Sequence, residues 1–141
     1  MKMRVGFYGP GEGMTQAQRQ ALFLVLQGLG TEAEGHHDGL TARGAAGDFH
    51  KLARTLGWTI VIHPYVGHRP AVVADTVDIP GPPDHQRRRL VDASLMMVCT
   101  PAGDEEDGHD ATWDVIRMAN EKGRPLVVIW PDGGVRMERC G

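Results

Sequence analysis

Four short, almost unbroken apolar runs punctuate this chain: Val5-Gly6-Phe7-Tyr8, Trp58-Thr59-Ile60-Val61-Ile62, Leu95-Met96-Met97-Val98-Cys99 and Leu126-Val127-Val128-Ile129-Trp130. A strand without polar alternation needs cover on both faces, which a parallel sheet flanked by helices supplies. The intervals between the runs carry helical spacing. Leu22, Val25, Leu26 and Leu29 share one face behind Thr15, a residue suited to N-capping. Ala45, Phe49, Leu52, Ala53 and Leu56 form a second face, and shorter helices are expected around 84–92 and 111–120. The polar stretch 31–37 is assigned as a strand by its position between two helices.

The fold class expected is α/β: a three-layer, Rossmann-like parallel sheet of five strands in the order 3-2-1-4-5, with helices on both faces. Right-handed crossovers leave few other arrangements. In that order the winding reverses between the first and fourth strands, and ligands bind beyond the carboxyl ends at such a reversal. Three glycine-rich breaks, at 9–13, 37–44 and 100–110, fall at that same edge. Gly (19) and Pro (9) together fill about a fifth of the 141 residues, against roughly an eighth in an average protein. Much of the chain is therefore turn, where binding groups concentrate. The Pro-rich segment 64–83 shows no period and is read as a long loop, a lid or binding segment.

The length predicts one domain, over residues 1–132, with 133–141 as a tail. A net charge of -3 supplies no field to gather nucleic acid or anionic membrane. Two cysteines in unlike contexts, Cys99 and Cys140, point to a reducing cytoplasm. The opening apolar run is too short for a signal peptide or a membrane span.

Gly9-x-Gly11-x-Gly13 has the spacing of neither the dinucleotide fingerprint nor the P-loop. Its glycines still let backbone amides approach an anion beside a helix start, so Gly9, Pro10 and Gly11 are candidate ligand contacts. The fourth helix opens with Gly108-His109-Asp110-Ala111-Thr112-Trp113. Asp110 or Thr112 is the expected cap, and the free amides around Ala111 and Thr112 are expected to face the crevice. The Thr112 hydroxyl is then a donor to a phosphate or ribose oxygen, and Trp113 stacks on a base or packs inward. Asp104–Asp107 should face water. His36, His37, Asp38 and His50 match no metal-ligand spacing, so no metal is expected, and His37 with Asp38 is read as a polar ligand contact. His63 and His68 are read as solvated, Arg87–Arg89 as a wet helix face and Cys99 as inert core. No Ser-His-Asp arrangement stands out.

Gly13-Met14-Thr15-x-x-Gln18, His37-Asp38 leading to Gly44-Ala45 and Asp48-Phe49-His50, and Ile62-His63-Pro64 resemble the SLOG superfamily. Arg88-x-x-Val91-Asp92-Ala93, Thr112-Trp113-x-x-Ile116-Arg117-x-Ala119 and Trp130-Pro131 continue the likeness, from about Arg4 to Asp132. That Rossmann-like group includes the LOG phosphoribohydrolases and DprA; the chain is most similar to its small single-domain members of phages and actinobacteria. The resemblance implies a nucleotide or nucleotide-derived ligand with its phosphate over the start of the fourth helix. It implicates Gly9, His37, Asp38, Gly44, Pro101, Thr112 and Trp113, and implies a homodimer formed through helices flanking the site. The chain departs from the hydrolase motif P-G-G-x-G-T-x-x-E: Ala111 precedes the threonine, and Val115 stands where the catalytic glutamate belongs.

Two functions follow as expectations. The first is a non-catalytic binder, without cofactor, that senses or sequesters a nucleotide-like molecule. The alternative is an N-glycosidic hydrolase of nucleoside monophosphates, with Asp110 or Asp114 stabilising an oxocarbenium-like centre. The charge argues against a nucleic-acid partner.

Overall fold

The computed structural model describes residues 2–138, so the last three residues of the expected tail, Cys140 among them, lie outside it. The strands are β1 (Met3–Tyr8), β2 (Ala33–His37), β3 (Thr59–Ile62), β4 (Thr76–Val77), β5 (Met96–Cys99), β6 (Leu126–Ile129) and β7 (Val135–Glu138). The helices are α1 (Gln16–Gly28), α2 (Ala45–Thr55), α3 (Pro83–Ala93) and α4 (Thr112–Glu121). All strands form one sheet in the order β4-β3-β2-β1-β5-β6-β7. It is parallel except for the β6–β7 pair.

The five strands read from the sequence are the inner five, in the expected order, so the winding reverses between β1 and β5. The sheet has seven strands rather than five. β4 is a two-residue strand inside the Pro-rich segment, too short to show a period. β7 lies within the stretch read as a tail and turns back on β6 through a three-residue hairpin. Trp130 N–H donates to the Gly134 carbonyl and Gly133 N–H to the Trp130 carbonyl, each at 2.8 Å. Gly133, at φ +88, supplies the left-handed residue that such a turn requires.

Alternation across the strands builds two cores. Val5, Phe7, Ile60, Ile62, Val98 and Ile129 pack against Leu22 and Leu26 of α1 and Ala45, Phe49 and Ala53 of α2. Phe7 and Phe49 stack at 4.8 Å. On the other face, Met97, Cys99, Leu126 and Val128 meet Leu90 and Val91 of α3 and Val115, Ile116 and Ala119 of α4. Each large buried side chain contributes about 1.5–3 kcal/mol, so these clusters dominate stability. Over β2, β3 and β4 this second face keeps a groove of about 720 Å3, lined among others by His36, Val61, His63, Asp78 and Arg89. Among the described residues no helix is long and apolar enough to cross a membrane.

Candidate functional site

The reversal point is held by the first turn of α1. The Thr15 hydroxyl accepts the Gln18 amide N–H at 3.0 Å, and Gln18 Oε1 accepts the Thr15 N–H at 2.9 Å, a reciprocal capping box. The Gln18 side chain is buried, and its Nε2 donates to the carbonyls of Pro101 (2.9 Å) and Ile129 (3.0 Å). Thr15 Oγ1 donates to the Pro131 carbonyl at 2.7 Å. One helix start thus ties down the ends of β5 and β6. The Gly13–Gln18 string is architectural.

The loops after β1 and β2 interlock just as closely. A side chain at Gly9 would place its Cβ 2.4 Å from Thr100 Oγ1 and 2.6 Å from Ala45 Cβ, and one at Gly44 would meet the Gly11 carbonyl oxygen at 2.4 Å. The Pro10 carbonyl accepts from Gly13 N–H and, across the loops, from Ala45 N–H.

Between the loops after β1 and β5 lies a notch of about 280 Å3. One wall is Tyr8, Gly9, Pro10, Gly11 and Glu12; the other is Ala102, Asp107, His109, Asp110 and Ala111. The backbone amides of Gly11 and Glu12 have no hydrogen-bond partner among the described residues. Glu12, Asp107 and Asp110 line the notch with carboxylates. Asp110 is tethered on both oxygens: Oδ2 accepts Ala102 N–H at 2.9 Å and Oδ1 accepts Thr112 N–H at 3.0 Å.

This tether corrects one expectation. The first amides of α4 are not free: Thr112 bonds to the Asp110 carboxylate, Trp113 to the Asp110 carbonyl, and Asp114 and Val115 to the Ala111 carbonyl. A carboxylate of the chain itself occupies the place read as a phosphate cradle. On this wall the Ala111 amide keeps no partner among the described residues, and the Gly11 and Glu12 amides sit across the notch in the loop after β1.

Gly9, Pro10, Gly11, Asp110 and Ala111 therefore come together, and the other candidates lie elsewhere. His37 is fully buried, its Nε2 3.1 Å from His50 Nδ1 and its Nδ1 accepting Gly39 N–H at 2.9 Å, so it offers no ligand contact. Burial pushes its pKa down to about 3. Asp38 is buried as well, accepting from Tyr65 Oη at 2.8 Å and Leu40 N–H at 3.0 Å. Gly44 caps α2 behind the notch, and Pro101 is spent on Gln18. Thr112 is fully buried, with a hydroxyl that finds no partner among the described residues and does not line the notch. Trp113 packs on Trp130 with ring centres 5.9 Å apart. Asp114 is ion-paired with Arg117 in a depression between α3 and α4, away from the notch. The glutamate position, Val115, lies in the core.

Two further readings change. His63 is not solvated: it is buried between His36 (2.9 Å) and Asp78 (3.0 Å). Arg87 is not on a wet face, since its guanidinium lies 5.8 and 5.9 Å from the ring centres of Tyr8 and Tyr65 and Nε donates to Tyr8 Oη at 3.2 Å. Cys99 is buried, and burial pushes its thiol up, away from the thiolate. Glu12, Asp107 and His109 escaped the sequence reading as lining residues, because loops reveal their facing walls only once the strands are ordered.

No protein-family model and no curated protein sequence matches the chain. Solved structures do match in fold. The molybdenum cofactor carrier protein from Chlamydomonas reinhardtii superposes with a TM-score of 0.71 at 16% identity, over 91% of this chain and 76% of that one. The molybdenum cofactor binding protein from Rippkaea orientalis gives 0.65 at 16% identity, over 92% and 77%. TM1055, a structural-genomics target, gives 0.67 at 15% identity, over 89% and 72%.

Proposed function

We propose that this chain is a SLOG-type binding protein that holds a small phosphorylated, nucleotide-like molecule in the notch between β1 and β5 without converting it. One observation carries the reading: Gly11 and Glu12, whose amides have no partner among the described residues, line the notch opposite Asp107 and Asp110 at the winding reversal. Unpaired amides suit phosphate oxygens, and fixed carboxylates suit the hydroxyls of a sugar, as in other sheets of this winding. The phosphate therefore goes to the β1 loop, because Asp107, Asp110 and a self-capped α4 disfavour an anion on the opposite wall.

The reading as a binder rests on what the notch lacks. Hydrolysis of an N-glycosidic bond needs a positioned acid and base. Asp110 has both oxygens tied to amides, Asp114 is turned away and Val115 is core. The fold neighbours named for binding and carrying a cofactor support the same use of this architecture. A cytoplasmic location belongs to this proposal.

Thermal unfolding with a panel of nucleoside monophosphates, nucleotide sugars and free phosphate tests it. A ligand at 100 times its Kd adds about 2.7 kcal/mol of stability, a shift of several degrees in a domain of this size. No shift with any member at millimolar concentration overturns the nucleotide reading. Free base detected chromatographically, and lost in Asp110→Ala, overturns the claim that nothing is converted.

A further inference from the structure

Strand β7 closes the sheet, and among the described residues nothing pairs with its outer edge. The bond from Trp130 N–H to the Gly134 carbonyl, with the register Val128↔Arg136 and Leu126↔Glu138, turns the amides of Arg136 and Glu138 toward β6. Val135 and Met137 direct theirs outward. The side chains of these two residues lie on the α1 face, because their cross-strand partners, Ile129 and Val127, belong to the core beneath α1. Val135 is 47% exposed and Met137 67%. Leu24 of α1, also 67% exposed, extends the strip. It lies two turns along the same side of the helix as Ala17, which touches Gly133 of the hairpin. Beside Met137 an apolar cavity of about 410 Å3 opens among Met3, Leu29, Met96 and Leu126.

The geometry points to a second copy of this chain as the occupant, the two β7 strands pairing antiparallel about a two-fold axis through Met137. This register uses the outward amides of Met137 on both copies and places Arg136 of each opposite Glu138 of the other. Within one chain Arg136 Nε already lies 3.0 Å from Glu138 Oε1, so pairing builds a two-by-two array of alternating charges. Other two-fold registers are poorer. An axis through Arg136 sets the Arg136 side chains of the two copies opposite each other, and one through Val135 sets Glu138 toward Asp132 of the hairpin. A self-complementary edge closes as a dimer and stops there. This surface is separate from the notch and does not depend on any ligand.

Sedimentation velocity across micromolar to sub-millimolar concentrations tests the pairing. A concentration-dependent dimer is expected. Arg136→Glu, which opposes like charges at two places, raises the dimer Kd by about tenfold. The double variant Arg136→Glu/Glu138→Arg restores the alternation and the wild-type Kd. Met137→Pro removes an outward amide without touching the bonds to β6, and gives a folded monomer by circular dichroism. A monomer at every concentration overturns the inference, as does a dimer that ignores both Met137→Pro and Arg136→Glu.

Discussion

His36 Nδ1 stands 2.9 Å from His63 Nε2, and the outer nitrogen of each ring meets a carboxylate: Glu34 Oε1 at 2.7 Å and Asp78 Oδ2 at 3.0 Å. Two neutral rings carry two protons for these three contacts, and a third proton would add one positive charge shared by both. Burial opposes that charge and pushes both histidines below their ordinary value. Asp78 is held well below the usual carboxylate range by Arg89, which donates to its two oxygens at 2.6 and 2.7 Å. The chain fastens the segment around β4 to β2 and to α3.

Acid should destabilise the protein through these rings before most carboxylates titrate. His36, His37, His50 and His63 all have lowered pKa values, chiefly from burial, so the folded state binds fewer protons than the unfolded one. Their stabilisation is present above the unfolded value of about 6.5 and is lost as pH falls below it. For His37, lowered to about 3, the loss is about 1.4 kcal/mol per pH unit over that window. Urea midpoints taken from pH 8 to pH 5 should fall steadily below pH 6.5. A flat profile would contradict neutral buried histidines.

Gln18→Glu should be among the costliest single-atom changes in this chain. The side chain gives both amide protons to carbonyls, of Pro101 and Ile129, and a carboxylate has none to give. Two buried carbonyls lose their donor and face an oxygen, a loss of about 3 kcal/mol or more. Gln18→Ala should cost less, about 2 kcal/mol, because it adds no opposed charge. Chemical denaturation of the pair gives the ordering, and the reverse order would place Gln18 outside the architecture of the reversal point.

Gly9→Ala should destabilise by about 1–3 kcal/mol through overpacking. The new methyl group would lie on Thr100 Oγ1 and Ala45 Cβ. Thr100→Ala alone should cost little, since that buried hydroxyl has no partner to lose. In the double variant part of the Gly9→Ala loss should return, a coupling measurable in a double-mutant cycle. Strict additivity would show that the clash is relieved elsewhere.

Four inner strands were legible because burial on both faces leaves unbroken apolar runs, the polar β2 only from its place between two helices, and their order followed from handedness. β4 and β7 were not: Thr76 and Val77 are exposed, and β7 alternates Val135 and Met137 with Arg136 and Glu138 on an open edge. A depression does lie between the loops after β1 and β5, yet the Thr112 amide is not free in it, since nothing in the string Asp110-Ala111-Thr112 says that the Asp110 carboxylate turns back to bind Ala102 and Thr112. His63 was misread because its partner is 27 positions away and becomes a neighbour only through the β2–β3 register, in which His63 N–H donates to the His37 carbonyl. Arg87 escaped for the same reason, its aromatic partners lying on β1 and in the segment after β3.

Restoring the glutamate of the hydrolase motif should break the fold before it creates an enzyme. Val115 is fully buried in the cluster that joins α3 and α4 to the sheet, beside Leu90, Cys99 and Ile116. A glutamate there has no cation or donor placed to receive it, so it stays protonated or drives the helix outward. Val115→Glu is expected to cost about 3 kcal/mol or more, read as a lower melting temperature, with no release of base from any nucleoside monophosphate. Val115→Thr, which keeps the shape and adds one hydroxyl, should cost about 1–3 kcal/mol and leave ligand-induced stabilisation intact. Base release by a folded Val115→Glu variant would mean that the α4 face turns toward the notch in solution and that the carboxylate wall can act as catalytic machinery.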